Sequence, residues 1–286
     1  MFVVAGVTGN TGSVVAQTLL DRKQPVRVIV RTADKGAAWK AKGAEVAVAS
    51  LDDTKALTKA CEGATGAYLL VPPNYTATSY LDDRKKVADA LAKAVKASGL
   101  GHVVFLSSIG AHLPGETGPI RVVRYGEQQL EADAKNLTIL RPASFLDNWV
   151  PVLGAAKAQG VLPSFLAPDR RIAMISTLDI GRIAAEQLIA GGQGRKVLEL
   201  SGPEDYSPND IAAALGKLLK RAVTVQHAPL SAVVPTFKSF GFSDDAARLF
   251  EEMYRGLEQG TINYEKTGAT HVRGHVTATE ALQRLV

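Results

Sequence analysis

The first half of the chain alternates short apolar runs with longer amphipathic stretches. The apolar runs are rich in β-branched residues and lie at Phe2–Val7, Val26–Val30, Glu45–Ala49, Gly66–Val71, His102–Leu106 and Leu137–Leu140. Such continuous runs are typical of strands buried on both faces of a parallel sheet. The stretches between them predict helices at Ser13–Asp21, Ala33–Lys42, Thr54–Cys61, Ser79–Ser98 and Arg121–Ala134. The alternation indicates an α/β fold with a doubly wound, Rossmann-type parallel sheet built from βαβ units.

The rhythm changes after Arg141-Pro142, which places a domain boundary near residue 145. We expect a dinucleotide-binding domain over residues 1–145 and a smaller α/β substrate region over residues 146–286. Strands are predicted at Ile172–Ser176 and Lys196–Ser201, and both could rejoin the main sheet.

Capping residues mark several helix ends. Asp53 precedes a predicted helix and can accept its free N–H groups, and Gly99 follows another as a left-handed terminator. Ser207-Pro208 and the capping-box spacing of Thr277–Glu280 predict two further helices in the second half.

Composition narrows the class of protein. Among the 286 residues, 46% are hydrophobic and 21% charged, which is ordinary for a globular chain long enough to bury a core. The lone Cys61 permits neither an intrachain disulfide nor a cysteine zinc site. No signal peptide or run of about 18 apolar residues is visible, so we expect a cytoplasmic protein without a membrane partner. The net charge is +5, but the basic residues are scattered, so we expect no nucleic-acid partner.

The segment Gly6–Gly12, with sequence GVTGNTG, joins the first predicted strand to the first helix. Glycines are required there if a pyrophosphate is to approach the backbone N–H groups of a helix N-terminus. The position between strand and helix makes the glycine pattern specific for a dinucleotide. A tight strand–helix turn without ligand is the alternative interpretation.

The end of the second predicted strand decides which dinucleotide binds. An acidic residue there would bond both ribose hydroxyls of NAD, but this chain has Arg31, and Lys35 lies one turn further on. Because two cations favour a 2′-phosphate, we expect NADP(H) rather than NAD(H). Asp34 argues against this preference unless it serves to cap the next helix.

With these motifs the chain resembles the NmrA-like branch of the atypical short-chain dehydrogenases/reductases, and within it the bacterial NAD(P)H:quinone oxidoreductases. The resemblance covers nearly the whole chain. It rests on GVTGNTG and on five later segments: Leu69–Pro73, Leu106–Gly110, Thr138–Pro142 with Phe145 and Asn148, Asp179–Gly181, and Gly241–Gly260.

The resemblance implies a cofactor site along the strand ends. Its residues would be Gly6, Thr8, Gly9, Asn10, Thr11 and Gly12 at the phosphates, Arg31 and Lys35 at the 2′-phosphate, Ser50 and Leu51 at the adenine, Leu70, Val71 and Pro72 at the ribose and pyrophosphate, and Ser107, Pro142, Ala143, Ser144 and Phe145 at the nicotinamide. The family often has Gly-Asp where this chain has Ala49-Ser50, so the acidic contact to the adenine is replaced or missing.

A tyrosine followed four residues later by lysine, the usual acid–base pair of the wider superfamily, is absent. Tyr125 stands on the expected helix, but residue 129 is glutamine, and the lysine found nearby in reductases of this branch is replaced by Val123 or Arg124. We therefore assign no catalytic residue. The absence argues against carbonyl reduction, because a ketone gives a basic alkoxide that needs a proton donor. The missing lysine also argues against a third hypothesis, a reductase of the plant phenylpropanoid type.

Aromatic and amide side chains are the candidates for an acceptor site. We expect Tyr75, Phe145, Asn148, Trp149 and Phe237 to bind the substrate, with core packing as the alternative role for each. Tyr80, Phe165 and Phe240 are further candidates for the lining. His271 and His275 have the i, i+4 spacing of a metal site on a helix, but a surface turn is the favoured interpretation, and no metal is expected.

The leading hypothesis is an NADPH-dependent oxidoreductase that reduces quinones or similar conjugated acceptors by direct hydride transfer, without flavin or metal. Its partner would be a small quinone-like molecule, and a homodimer is compatible with the sequence. The alternative is a non-catalytic, NAD(P)-binding redox sensor of the NmrA type, which the missing Tyr–Lys pair fits equally well.

Overall fold

The computed structural model describes residues 1–286. Its strands are β1 (Phe2–Val4), β2 (Val26–Val30), β3 (Glu45–Val48), β4 (Gly66–Leu70), β5 (Val103–Leu106), β6 (Leu137–Pro142), β7 (Ser144–Phe145), β8 (Val161–Ser164), β9 (Ile172–Ile175), β10 (Arg195–Ser201), β11 (Asp205–Tyr206), β12 (Thr224–His227) and β13 (Thr270–Arg273).

The helices alternate with the strands through the first half and cluster in the second. They are α1 (Asn10–Asp21), α2 (Ala33–Ala41), α3 (Thr54–Cys61), α4 (Tyr80–Ser98), α5 (Ile120–Asp133), α6 (Leu153–Gln159), α7 (Thr177–Ala190), α8 (Pro208–Leu219), α9 (Val233–Ser239), α10 (Asp244–Gln259) and α11 (Ala278–Gln283), with 3-10 helices at Leu146–Val152 and Leu230–Ala232. None of the helices is long and apolar enough to cross a membrane.

Eight strands form the main sheet, in the order β13-β10-β6-β5-β4-β1-β2-β3. Every neighbouring pair in it is parallel. The Rossmann-type α/β fold is therefore confirmed. Two main-sheet strands, β10 and β13, come from beyond residue 145, while the boundary there stays a prediction.

Alternate residues of the main-sheet strands pack on opposite faces. Val103 and Phe105 belong to a cluster of 22 buried residues that includes side chains of α3, α4 and α5. Val104 belongs to a second cluster of 21 buried residues that includes side chains of α1 and α7. A third cluster of 15 residues lies wholly beyond residue 145. Burial on both faces explains why the strands are apolar without alternation.

Two glycines allow helices to pack closely. A Cβ on Gly126 of α5 would lie 2.7 Å from Cζ of Phe105, and one on Gly181 of α7 would lie 2.4 Å from Cβ of Val14 in α1. Since real Cβ atoms do not come that near, glycine sets how closely α5 approaches β5 and α7 approaches α1.

The predicted caps are present. The Asp53 carboxylate accepts from the Ala56 N–H, Gly99 has a φ of +65°, and both Ser207 and Thr277 form capping boxes. One expectation needs correction. Lys196–Ser201 lies in the main sheet, but Ile172–Ile175 pairs with β7 and β11 in a separate three-stranded sheet. Its partner β7 follows Ala143 and its partner β11 precedes Ser207. Strand β9 therefore pairs only with strands from the later part of the chain.

Candidate functional site

The candidate site lies at the carboxyl edge of the main sheet, where the strand order reverses. The chain passes from β1 to β2 and β3 on one side, then returns to β4, β5 and β6 on the other. Open parallel sheets bind ligands in the crevice outside the strand ends at this switch point. The loop Gly6–Gly12 leaves β1 there, directly beside the end of β4.

Two glycines of this loop are required by close contacts. Gly6 has a φ of +69°, and a Cβ on it would lie 2.7 Å from Cδ2 of Leu70. A Cβ on Gly12 would lie 2.4 Å from the Gly6 carbonyl oxygen and 2.5 Å from that of Ala5. Gly12 thus brings α1 against the loop and the end of β1. Because these glycines have no side chain, the backbone of the loop forms an open cradle.

The N-terminus of α1 offers unpaired hydrogen-bond donors to this cradle. Its N-cap is Gly9, which provides no side-chain cap, and the N–H groups of Asn10, Thr11 and Gly12 have no acceptor within the protein. Thr8, Gly9 and Asn10 are exposed. Bare N–H groups at the positive end of a helix dipole suit a phosphate group. The residues present therefore fit the pyrophosphate of a dinucleotide.

Thr11 differs from its neighbours in this loop. Its side chain is 5% exposed, and its hydroxyl accepts a hydrogen bond from Tyr68 Oη over 2.9 Å. The sequence analysis placed it with Thr8 among the residues expected at the phosphates. In the fold, the Thr11 hydroxyl instead joins α1 to β4, and its backbone N–H is the free donor.

Basic side chains lie next to the end of β2. Arg31 and Lys35 are exposed and form no ion pair, whereas Arg27 at the other end of the strand pairs with Glu45 at 2.8 Å. Asp34 lies in the first turn of α2, where the Thr32 side chain holds the pKa of its carboxyl below the usual value. Two unpaired cations remain available for a phosphate, with one carboxylate between them.

The residues expected at the adenine follow the end of β3. Ser50 is exposed and Leu51 half-buried, and both follow the sheet edge directly. Leu51 packs against the buried cluster under α3 and α4. Their contact with an adenine stays a prediction.

A hydrogen-bonded brace holds the loop after β4. Arg84 donates from Nη1 to the Pro72 carbonyl over 3.0 Å, and its Nη2 contacts Asp83 at 2.5 Å. Asp83 also accepts from Asn74 over 2.9 Å. Val71 and Pro72 are thereby fixed beside the glycine loop, although neither side chain is deeply buried.

Ser107 follows β5 and lies next to an ionic network that the sequence pattern did not reveal. Its hydroxyl donates to Oε1 of Glu127. Arg141 donates to both oxygens of Glu127, over 2.9 and 2.6 Å, and reaches Glu265 at 2.6 Å. Glu127 and Arg141 are only 4% and 3% exposed. The backbone N–H of Glu265 donates to the carboxylate of Glu199 over 2.9 Å. Glu199 is buried, and burial raises the pKa of its carboxyl.

The residues expected at the nicotinamide lie at the end of β6 and directly after it. Pro142 ends that strand, Ala143 is buried, and Ser144 and Phe145 form β7, which pairs with β9. The Pro142 carbonyl accepts from the Ile109 N–H over 2.9 Å, which joins this turn to the loop after β5. Ser107 and the segment 142–145 are therefore neighbours at the same edge.

The Tyr125 hydroxyl forms a hydrogen bond with a neighbouring helix. Its hydroxyl donates to Oδ1 of Asp89 on α4 over 2.7 Å, and this bond raises the pKa of the phenol. The phenol is therefore held as a neutral donor to a neighbouring helix.

Several aromatic side chains meet where the β4–α4 loop contacts α9 and α10. Rings of this aromatic cluster contact one another, with centroids 4.2 to 6.1 Å apart. Its members are Tyr75, Phe165, Phe237, Phe242, Phe250 and Tyr254. The sequence analysis proposed Tyr75, Phe165 and Phe237 for this site. It missed Phe242, which precedes α10, and Phe250 and Tyr254, which lie within α10, because none of them follows a predicted strand.

Two hydrogen bonds from backbone N–H groups join the β4–α4 loop and the start of α4 to the start of α10. The Ser243 N–H donates to the Tyr75 carbonyl, and the Tyr80 N–H donates to Asp245, both over 2.8 Å. The Tyr75 and Phe242 rings stack at 4.2 Å. Of the other candidates, Phe240 is 62% exposed at the rim.

The remaining substrate candidates lie apart from these rings on the segment after β7. Phe145 packs against the cluster under α1 and α7, and Trp149 packs against the third core cluster. Asn148 is exposed on the 3-10 helix. Tyr254 connects the two groups, since it also packs against the third cluster.

The histidine pair does not lie on a helix. His271 is in β13, and His275 follows the strand. No group of three or more His, Cys, Asp or Glu side chains is arranged to hold a metal ion.

Known proteins resemble this chain in sequence along most of its length. A sequence model described as the NmrA-like family matches residues 1–273. The NAD(P)H azoreductase of Xenophilus azovorans is 26% identical over 259 residues, covering 89% of this chain and 86% of the relative. Quinone oxidoreductase 2 of Escherichia coli is 26% identical, with coverage of 98% and 96%.

A solved structure shares the whole fold. The crystal structure of an NADPH-dependent quinone oxidoreductase from Escherichia coli, complexed with NADPH, superposes with a TM-score of 0.82 at 26% identity. The superposition covers 100% of this chain and 99% of the other.

Proposed function

The chain belongs to the NmrA-like family, and from this premise we propose that it is an NADPH-dependent oxidoreductase that reduces quinones or similar conjugated acceptors. The observation that carries the proposal is the backbone cradle at Gly6–Gly12, whose free N–H groups face the switch point of the sheet. Reductases of azo compounds and quinones among the relatives support the class of reaction.

Each group of residues along the carboxyl edge of the main sheet has a role in this proposal. Gly6–Gly12 bind the pyrophosphate, Arg31 and Lys35 select the 2′-phosphate, and the segment Pro142–Phe145 orients the nicotinamide. When bound, NADPH supplies a hydride from its nicotinamide ring. The protein contributes mainly proximity and orientation, which alone lower a barrier by several kcal/mol, about 7–11 in well-aligned cases.

No side-chain acid is needed for a quinone. Hydride addition gives an anion whose charge spreads through an aromatic ring, and water protonates that product. This agrees with Tyr125, whose hydroxyl is bonded to Asp89. The aromatic cluster, which includes Tyr75 in the loop after β4, supports a flat, conjugated acceptor.

The test is oxidation of NADPH by the purified protein in the presence of a panel of small quinones, followed by the cofactor's near-ultraviolet absorbance. Saturable oxidation is expected in the wild type and in Gly154→Ala, because a Cβ at Gly154 meets nothing within 4 Å. Gly12→Ala should abolish it, since that Cβ meets backbone at 2.4 Å.

Oxidation no faster than in a protein-free blank would contradict the proposal. If NADP(H) still bound by calorimetry in that case, the non-catalytic redox sensor would be the better description.

A further inference from the structure

The Ser107 hydroxyl has its proton committed within the protein. It donates to Glu127, and Arg141 holds both carboxylate oxygens of Glu127 at 2.9 and 2.6 Å. A carboxylate paired in this bidentate way is ionised, and an ionised carboxylate only accepts hydrogen bonds. Ser107 is therefore the donor in this bond, and its proton cannot also serve a ligand.

The lone pairs of Ser107 are still free. No N–H or O–H group of the protein donates to Ser107 Oγ, although the residue is 5% exposed and its N–H is bonded to the Leu140 carbonyl over 2.7 Å. Reversing the hydroxyl would leave a buried, charged carboxylate without one of its donors, which costs more than losing a bond between neutral groups. Toward the site, Ser107 can only accept.

Ser107 also lies on the nicotinamide side of the proposed cofactor. The pyrophosphate cradle lies between β1 and β4, and the cations Arg31 and Lys35 lie toward β2. The other half of a dinucleotide must then extend toward the ends of β5 and β6, where Ser107 and Pro142 stand. The donor that the nicotinamide ring carries is its carboxamide NH2 group.

We infer that Ser107 binds the nicotinamide carboxamide as a hydrogen-bond acceptor, with Glu127 and Arg141 as the positioning residues that fix the direction of its hydroxyl. This inference rests on the proposed function. It assigns Ser107 to cofactor orientation and excludes it as a proton donor to the oxygen of the substrate.

The inference is tested by binding and not by turnover. The probes are NADP⁺ and its 3-acetylpyridine analogue, in which a methyl group replaces the amide NH2. Calorimetry of the wild type should give about fivefold or greater preference for NADP⁺, the range of one hydrogen bond. In Ser107→Ala the preference should fall to nearly one.

Three further variants make the result specific. Ser107→Thr keeps the hydroxyl and should keep the preference. Ser107→Cys keeps the size of the side chain but is a weak acceptor, so it should lose the preference and decides the matter if the alanine variant does not fold. Ser108→Ala is the matched control, because that neighbouring hydroxyl donates to the Ile109 carbonyl over 3.0 Å.

An unchanged preference in Ser107→Ala and Ser107→Cys would overturn the inference and leave the proposed function intact. Failure of the wild type to bind either nucleotide would overturn both.

Discussion

The hydroxyl of Tyr68 in β4 donates to the hydroxyl of Thr11 in the first turn of α1 across 2.9 Å. Tyr68 is fully buried, and burial raises the pKa of its phenol, so it stays a neutral donor. The bond joins the N-terminus of α1 to the strand on the far side of the switch point.

Thr11→Val is expected to lower the free energy of unfolding by about 1–3 kcal/mol, because it leaves the buried Tyr68 hydroxyl without an acceptor. Combining it with Tyr68→Phe should recover part of the lost stability, because the double variant no longer has an unpaired Tyr68 hydroxyl. Denaturant titration of the single and double variants measures the coupling. Thr18→Val, on the same helix, is the control, and equal losses in both threonine variants would contradict the role of the bond.

Arg31→Ala should raise the KM for NADPH by about tenfold or more and leave that for NADH nearly unchanged, because a charge-assisted bond to the 2′-phosphate contributes about 1.5–3 kcal/mol. Initial rates with both cofactors measure this. Lys40→Ala removes the same charge at the other end of α2 and should change neither KM. A parallel rise for both cofactors would show that Arg31 does not select the phosphate.

Glu127→Ala should destabilise the fold by about 3–5 kcal/mol, because Arg141 is left as a buried charge with its principal partner removed. The exposed pair between Glu251 and Arg255, at 2.8 Å, is the reference, and Glu251→Ala should cost under about 1 kcal/mol. Thermal and denaturant unfolding compare the two. Similar losses would mean that the buried pair contributes no more than a surface pair.

His102 should make stability depend on pH. Burial, assisted by Lys196, lowers the pKa of its imidazole, while Nε2 lies 2.9 Å from Thr138 Oγ1. In the unfolded chain the pKa is about 6.5, so the unfolded state binds more protons below about pH 7. The free energy of unfolding should therefore fall as pH drops from 7 toward 5.

His102→Gln should reduce this dependence, measured by denaturant unfolding at several pH values. His112 and His271, whose pKa values burial also lowers, account for the part that remains. His275→Gln, at an exposed histidine, should leave the slope as in the wild type. An unchanged slope in His102→Gln would assign the whole effect to other groups.

Local signals account for much of the agreement between sequence and fold. Helix α3 begins at Thr54 and ends at Cys61 as predicted, because Asp53 caps it and apolar spacing defines its buried face. Strand β1 is shorter than its apolar run, which extends to Val7. It ends at Val4, since the chain must turn at Gly6 to form the loop.

Features that depend on distant partners were not predictable. The i, i+4 spacing of His271 and His275 is helical, yet pairing with β10 makes the segment a strand. Glu127 stands in a helix whose other polar residues are half-buried or exposed, and nothing local distinguishes it. Its burial depends on Arg141 from the next strand, which a single sequence does not reveal.

The return of β10 and β13 to the main sheet has a consequence for synthesis on the ribosome. β6 pairs with β10 through Leu137 and Arg195, so one edge of β6 stays bare until residues 195–201 have emerged. A bare, apolar, parallel edge is a site for pairing with other chains. The nascent chain therefore passes through a period in which its first half is exposed to aggregation, and the later strands end that period by closing the edge.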